Sequence, residues 1–99
     1  MPSLSETQKQ VEGYDKKHGW DEDKPSHIVL HMSEELGEIS RRILRNEGYK
    51  KEDFDPKELG MELTDLLYLT LKLANSFDIR LEDEWNKMWE RYKTKTNRS

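Results

Sequence analysis

The sequence predicts an all-α protein: a four-helix-bundle-like domain that assembles as a homo-oligomer. Apolar residues recur at three- and four-residue spacing, strand-type alternation is absent, and Pro2, Pro25 and Pro56 all stand at plausible helix starts. Only 32% of the 99 residues are hydrophobic. A single copy therefore buries little apolar surface, and we expect other copies to complete the core.

The first two helices are predicted over about residues 5–17 and 25–46. A capping box formed by Ser5 and Gln8 would open the first helix, and His18–Gly19 would close it. Pro25 suits the first position of the second helix, and Gly48 ends it. The apolar residues of the second helix form one stripe, which consists of Val29, Met32, Leu36, Ile39 and Ile43.

The third and fourth helices are predicted over about residues 56–76 and 81–93. Asp55 can cap the third helix, with Pro56 at its first position and Glu58 completing a capping box. Leucines occupy nearly every side of this helix, so we expect it in the middle of a bundle. The fourth helix has one apolar side, which consists of Leu81, Trp85, Met88, Trp89 and Tyr92.

The composition excludes several classes of function for this chain, which we take as one domain over residues 1–99. A formal net charge of -4 argues against nucleic-acid polymers and anionic membranes, since both require a basic surface. The absence of cysteine excludes disulfides, thiolate metal sites and a cysteine nucleophile. No apolar stretch approaches the roughly 20 residues that cross a bilayer, and no signal-like run is present, so we expect a cytoplasmic protein. The basic segment from Arg91 to Ser99 could be a solvated tail or a phosphate-facing end, and a solvated tail is the favoured interpretation of its outermost residues.

Two acidic patterns carry the candidate chemistry. Residues three or four apart share a helix face, so Glu35 with Glu38, and Glu62 with Asp65, each form a carboxylate pair. If their helices pack together, four carboxylates converge on one point. Hard oxygen ligands in that number suit Mg²⁺, with Mn²⁺ as the alternative. The sequence therefore predicts a divalent metal site between the second and third helices.

The position of Glu62 gives the strongest local support for that site. At helical spacing it projects between Leu66, Leu69 and Leu73, on the most apolar helix of the chain. An unpaired ionised acid in such surroundings costs several kcal/mol, and a shared divalent cation removes that cost. The alternative is that Glu62 and its neighbour Asp65 meet a lysine or a backbone donor.

The acids of the second helix have an alternative interpretation of their own. A run of glutamates on a helix is commonly a solvated face that nearby arginines balance. The residues in question are Glu34, Glu35 and Glu38, with Arg41 and Arg42 as the balancing charges.

At these motifs the chain resembles the all-α NTP pyrophosphohydrolases, and within them the short MazG-like proteins. The resemblance covers about residues 20–92 and rests on three segments in the right order. These are the segment Ser33–Ile39 (SEELGEI), the segment Glu62–Tyr68 (ELTDLLY) and Asn86-x-x-Trp89-Glu90-Arg91. The 23 residues between Glu38 and Glu62 fit the spacing usual in that family.

The resemblance implies a magnesium-dependent reaction that splits a nucleoside triphosphate into monophosphate and pyrophosphate, in a nucleotide-pool house-cleaning role. The metal ligands would be Glu35, Glu38, Glu62 and Asp65. Glu34 lies where a further metal contact or a water-orienting carboxylate is expected, and Glu34 and Glu38 are the candidates to take the proton of the attacking water. Nucleotide contacts are expected from Asn86 and Arg91, with Lys87 and Lys93 as further phosphate contacts.

The connector before the second helix holds another candidate. Trp20 could stack on a nucleotide base or pack in the core, and core packing is the favoured interpretation. His27 and His31 enter the second helix and are interpreted as partly exposed packing residues, although either could touch a nucleotide.

Three other functions compete with this prediction. Phosphoribosyl-ATP pyrophosphohydrolase has a related fold and cleaves the same kind of bond. An iron-binding carboxylate bundle would use two ExxH pairs, which are absent from the sequence. A non-catalytic helical interaction module would keep the fold without needing the acids.

Overall fold

The computed structural model describes residues 1–48 and 54–98, with side chains described through Thr94. In these ranges the chain forms α1 (Leu4–His18), α2 (Pro25–Asn46), α3 (Pro56–Ser76) and α4 (Leu81–Arg98), without a β-strand. The all-α prediction is therefore confirmed. Within the same ranges, no helix has the length and apolar character required to span a membrane.

The start of α1 differs from the predicted one. The capping box is formed by Ser3 and Glu6, not by Ser5 and Gln8. The hydroxyl of Ser3 accepts a hydrogen bond from the Glu6 amide at 3.1 Å, and the Glu6 carboxylate accepts one from the Ser3 amide at 2.9 Å. A carboxylate is also favoured over an amide at a helix N-terminus because the helix dipole is positive there. The predicted end is correct, with Gly19 in the left-handed region at a φ of 72°.

The bounds of α2 and α3 agree with the prediction, and α4 is longer than predicted. The Asp55 side chain caps α3 by accepting a hydrogen bond from the Lys57 amide at 2.9 Å. Glu58, which was expected to complete that cap, pairs instead with Arg42 of α2. The helix α4 continues to Arg98, beyond the predicted end near residue 93.

The helix α3 is the central element of the chain, as predicted. It packs against α2 on one side and α1 on another, while α4 packs mainly against α1. Both neighbours run antiparallel to α3. Gln8 near the start of α1 contacts Asn75 near the end of α3, and Arg42 near the end of α2 contacts Glu62 near the start of α3. The buried hydrophobic residues come from α1, α2 and α3, and they are Val11, Ile28, Leu69, Leu71 and Ala74.

A buried polar network ties α1, α3 and the connector before α2 together. Asp15 is only 2% exposed, and it accepts a hydrogen bond from the Tyr68 hydroxyl. The Lys72 ammonium lies 3.9 Å from an Asp15 oxygen and 2.7 Å from an Asp23 oxygen. It also lies 5.9 Å from the centre of the Tyr68 ring, within range of a cation–π interaction. Each buried charge therefore has a partner from another element.

A second polar junction fixes the turn between α3 and α4. The Gln8 side chain donates a hydrogen bond to the Asn75 side chain at 3.0 Å and accepts one from the Leu81 amide at 3.2 Å. Asn75 in turn donates to the Gln8 carbonyl at 3.1 Å. The start of α4 is thereby attached to α1.

The apolar side of α4 is not buried within one chain. Trp85, Trp89 and Tyr92 are all exposed. Their rings meet edge to face, with centroids 6.0 Å apart for the two tryptophans and 5.6 Å apart for Trp89 and Tyr92. This part of α4 therefore presents an aromatic surface to solvent in the single chain.

We expect Lys72→Met to lower the free energy of unfolding by about 3 kcal/mol, because it leaves the buried Asp15 carboxylate without its cation. Chemical denaturation followed by circular dichroism measures the change. Lys16→Met is the matched control: Lys16 pairs with Glu12 at 3.6 Å on the exposed side of α1, so its loss should cost less than about 0.5 kcal/mol. Equal losses for both variants would contradict the assigned role of Lys72.

Candidate metal centre

Three carboxylates meet in the groove between α2 and α3. Glu35 comes from α2, while Glu62 and Asp65 lie one turn apart on α3. One oxygen from each lies within 4.8 Å of the others. Glu35 and Glu62 are half-buried and Asp65 is exposed, so the cluster opens to solvent at one edge. The antiparallel packing of the two helices thus brings together three of the four predicted metal ligands.

The proximity of these acids perturbs their protonation. The pKa of Glu35 is raised to about 6, mainly by hydrogen bonding to Glu62. Burial and the charges of Glu62 and Asp65 raise this pKa further, while the charge of His31 lowers it slightly. The pKa of Glu62 is lowered, first by its hydrogen bond with Glu35 and then by Arg42, despite its partial burial. Without metal, Glu35 is therefore the member of the pair that takes up a proton first as the pH falls, at about pH 6.

Arg42 is the cation of this groove. Its guanidinium lies 3.2 Å from a Glu62 oxygen and also pairs with Glu58. The side chains of Arg42 and Glu62 are 19% and 16% exposed, so solvent screens this pair only in part. The alternative in which Glu62 meets a basic partner therefore holds in the structure, with an arginine in place of the expected lysine.

One oxygen of the cluster has no hydrogen-bond donor. Among the described residues, Glu35 Oε2 and Arg42 Nε are buried without a hydrogen-bond partner. A buried, unsatisfied carboxylate oxygen beside two further carboxylates requires an explanation. A hard divalent cation provides one, because Mg²⁺ and Mn²⁺ prefer oxygen ligands in this arrangement. The donor set thus fits a divalent metal ion.

The other predicted acids lie outside the cluster. Glu38 shares the side of α2 that carries Glu35 but pairs with Arg41. Glu34 is exposed. The interpretation of these glutamates as a solvated face balanced by arginines thus describes Glu38, whereas Glu35 faces α3.

Trp20 is 43% exposed, so the favoured core-packing interpretation is wrong. Its ring stacks on that of His18 at a centroid distance of 4.8 Å and meets Tyr14 edge-on at 5.8 Å. Tyr14 contacts Tyr68, whose position is one helical turn after Asp65 on α3. The connector therefore places an exposed aromatic surface against the end of α1, and Tyr14 links it to Tyr68 of α3.

The predicted nucleotide contacts on α4 lie on another side of α3. Arg91 lines a cavity of about 340 Å³, Asn86 lines one of about 590 Å³, and Leu67 of α3 contributes to both. Neither cavity is lined by Glu35, Glu62 or Asp65. In one chain these side chains do not converge with the carboxylates, and their contact with a nucleotide stays a prediction.

Two lysines of α4 pair within their own helix. Lys87 lies 3.5 Å from Glu84, and Lys93 lies 3.7 Å from Glu90. The remaining basic side chains of the predicted tail, Lys95 and Arg98, lie outside the described side chains. The pairs on Lys87 and Lys93 are exposed, so a phosphate could replace either carboxylate at little cost.

Sequence reasoning missed the role of Arg42. It was assigned only to the balance of a solvated face, although it follows Glu35 by seven residues, or two helical turns. That spacing places Arg42 on the same side of α2 as Glu35, the side that faces α3. An arginine at this spacing from a predicted metal ligand is the signal that would have identified it.

Comparison with known proteins agrees with the motifs. The family model of the MazG nucleotide pyrophosphohydrolase domain matches residues 23–98. A curated relative from Bacillus subtilis (strain 168), described as "Uncharacterized protein YpjD", is 33% identical over 73 residues. The match covers 72% of this chain and 66% of that protein, just under two thirds of its length. No solved structure gives a significant match.

In the metal-free protein, Glu62→Gln is expected to lower the pKa of Glu35 from about 6 toward its ordinary value of 4.5. The substitution removes the negative charge that favours the protonated form. Carboxyl ¹³C NMR across a pH titration measures this directly. Glu12→Gln, on the exposed side of α1, is the control and should leave the Glu35 titration in place. A Glu35 that still titrates near pH 6 in Glu62→Gln would assign the shift to burial instead.

Proposed function

The chain belongs to the MazG nucleotide pyrophosphohydrolase family, and we propose that it uses Mg²⁺ to hydrolyse nucleoside triphosphates to monophosphate and pyrophosphate. The observation that carries this proposal is the approach of Glu35, Glu62 and Asp65 within 4.8 Å of one another. Such a cluster is costly without a cation, which supports a metal-dependent reaction. The proposed substrates include both ribo- and deoxyribonucleoside triphosphates. The proposed role of the protein is house-cleaning of the nucleotide pool in the cytoplasm.

The metal ion would be held by Glu35, Glu62 and Asp65. Glu38 would join them if it left Arg41, since it lies one turn after Glu35 on the same side of α2. When bound, Mg²⁺ or Mn²⁺ would neutralise charge on the phosphate oxygens and on the departing pyrophosphate.

Arg42 prepares the groove by keeping Glu62 ionised. Its hydrogen bond and its charge are among the causes that lower the pKa of Glu62. Glu35, with a pKa of about 6, is mostly ionised near neutral pH as well. The groove therefore presents several negative oxygens under physiological conditions, when a cation would be bound.

A carboxylate that does not hold the metal would act as the general base. Glu34 and Glu38 are the candidates, because both lie within one turn of Glu35 on α2 and either could accept a proton from water. The water oxygen would form a bond to the α-phosphorus while the bond from that phosphorus to the bridging oxygen of pyrophosphate breaks. The proton passes from the water to the carboxylate, and pyrophosphate leaves as the anion.

The nucleotide would be held by aromatic and basic side chains around the groove. The exposed ring of Trp20 would stack on the base, and the guanidinium of Arg91 would bind phosphate oxygens as a bidentate donor. Asn86 and Lys87 would supply further contacts. Because the α4 residues lie away from the carboxylates of their own chain, this part of the proposal includes a homodimer or homotetramer as the active assembly.

The first test of the reaction is a substrate panel. Purified protein is incubated with ribo- and deoxyribonucleoside triphosphates and with phosphoribosyl-ATP, in Mg²⁺, in Mn²⁺ and in chelator, and products are separated by anion exchange. We expect metal-dependent monophosphate and pyrophosphate from the triphosphates. Turnover of phosphoribosyl-ATP alone would assign the competing reaction, while no turnover of any compound would support the non-catalytic module.

We expect Glu62→Gln to reduce turnover at least about 100-fold, because the amide is a poor metal ligand and no longer pairs with Arg42. Steady-state product formation measures the loss, and far-ultraviolet circular dichroism checks that the helices remain. Glu12→Gln makes the same chemical change outside the groove and should retain full turnover. Undiminished activity of folded Glu62→Gln would show that the metal assignment is wrong.

A further inference from the structure

We propose that Arg42 binds the phosphate chain of the nucleotide, at the part of the triphosphate that departs as pyrophosphate. In the metal-free protein the guanidinium is held by Glu58 and Glu62. It leaves Glu62 when that carboxylate ligates a metal ion, and the freed donors then turn to the phosphates. The inference rests on the proposed metal-dependent reaction, and it gives the groove a phosphate contact from its own helix α2.

Arg42 stands at one end of the groove. It follows Glu35 by two turns of α2, and its guanidinium reaches across to α3. There it contacts Glu58 and, at 3.2 Å, Glu62. These two acids lie one turn apart, on the side of α3 that faces α2. The guanidinium is therefore in direct contact with one of the three carboxylates that would hold the metal.

Two buried atoms of the groove have opposite requirements. Among the described residues, Glu35 Oε2 is a buried acceptor without a donor, and Arg42 Nε is a buried donor without an acceptor. A metal ion satisfies the carboxylate oxygen, and a phosphate oxygen satisfies a guanidinium nitrogen. A metal ion bound to a phosphate chain supplies both partners at once.

The charge of the groove also requires a cationic donor in addition to the metal. Three ionised carboxylates and one divalent ion leave a net negative charge, whereas the substrate is a polyanion. A guanidinium presents its donors in a planar fork that matches two phosphate oxygens. The Arg42 side chain is only 19% exposed, so water screens a phosphate contact there less than it does on the outer surface.

The exchange of partners follows from the charge of a ligated metal ion. A divalent ion on Glu62 has the same sign of charge as the guanidinium and weakens the contact of Arg42 with that carboxylate. Glu58 is exposed and lies outside the three clustered acids. It can therefore keep Arg42 at the end of the groove while the donors that contacted Glu62 bind phosphate.

Two other arginines near the predicted site are in different situations. Arg41 pairs with Glu38 on its own helix, and both side chains are about half exposed. Such a pair is screened by water and contributes little. Arg91 lines a cavity that contains none of the three carboxylates. Arg42 combines partial burial with direct contact to a carboxylate of the cluster.

The position of Arg42 along α2 indicates which phosphates it contacts. Glu35 lies ten residues after Pro25, the first residue of α2, and seven residues before Arg42. These separations correspond to about 15 Å and about 10 Å along the helix axis. The connector that carries Trp20 precedes Pro25, so the connector and Arg42 lie on opposite sides of Glu35 along the chain. With the base at the connector and the α-phosphorus at the metal, the departing pyrophosphate lies at Arg42.

Two variants of Arg42 and one control test the assignment at about pH 8, above the pKa of about 6 of Glu35. Arg42→Met removes the charge, while Arg42→Lys keeps a cation without the planar fork. Arg80→Met removes an arginine that pairs with Asp83 at 3.7 Å outside the groove, and it should behave as the wild type. Far-ultraviolet circular dichroism checks that each variant keeps its helices.

Binding of Mn²⁺ alone is the first measurement, made by electron paramagnetic resonance of the free ion. We expect Arg42→Met to bind Mn²⁺ about threefold more tightly than the wild type, because it lacks the cation that competes for Glu62. Arg42→Lys should bind Mn²⁺ with nearly wild-type affinity. A residue that only supported Glu62 structurally would give the opposite sign, a weaker affinity for Mn²⁺ in Arg42→Met.

Binding of inorganic pyrophosphate in saturating Mg²⁺ is the second measurement, made by calorimetry. Pyrophosphate is the departing part of every nucleoside triphosphate, so this probe requires no choice of base. We expect Arg42→Met to weaken pyrophosphate binding at least about tenfold, because it removes charge-assisted hydrogen bonds. Arg42→Lys should weaken it less. General damage to the fold would not produce tighter Mn²⁺ and weaker pyrophosphate in the same variant.

The results separate this inference from the proposed function. A wild type that binds neither Mn²⁺ nor pyrophosphate would overturn both. Wild-type binding of Mn²⁺ without pyrophosphate, or unchanged pyrophosphate affinity in Arg42→Met, would overturn the phosphate role and leave the metal assignment intact. Weaker Mn²⁺ binding by Arg42→Met would also overturn it, since Arg42 would then act only by positioning Glu62.

Discussion

The placement of charge on the apolar helix α3 determines how the rest of the chain packs. Glu62 and Lys72 lie on a leucine-rich helix, and neither is stable there without a partner. Partners come from three different elements: Arg42 from α2, Asp15 from α1 and Asp23 from the connector between them. Because each pair has only one register in which both groups meet, these contacts align the neighbouring helices along α3.

The same constraint produces the candidate site. Packing α2 in the register that places Arg42 beside Glu62 also brings Glu35 against Glu62, where two like charges are unfavourable. Without metal, the groove relieves that repulsion through a raised pKa at Glu35 and a guanidinium at Glu62. The packing of the helices and the Arg42 pair therefore keep the carboxylates in positions suited to a cation. Many metal sites position their ligands in the same way, through hydrogen bonds from surrounding residues.

The helices and the acids could be predicted from sequence, because capping, prolines and helical periodicity are local. The start of α1 was missed because Ser3 and Ser5 both begin an acceptable capping sequence, and only the helix dipole distinguishes Glu6 from Gln8. The exposure of Trp20 and the role of Arg42 depend on contacts between distant elements, which spacing within one helix does not specify. Glu38 fits the ligand spacing but pairs with its neighbour Arg41. The helical pattern allows Glu38 either a metal ion or Arg41 as its partner, and it does not decide between them.

The three tryptophans of the chain lie on two different parts of its surface, and each of them is about half exposed to water. Trp20 stands on the connector, against the end of α1, while Trp85 and Trp89 stand on the exposed apolar side of α4. Indole fluorescence shifts to shorter wavelength when the ring leaves water, so the protein carries its own optical reporters. Quenching or a blue shift that follows nucleotide addition reports the connector, and one that follows protein concentration reports α4. Replacing Trp20 by phenylalanine would separate the two signals in a single cuvette.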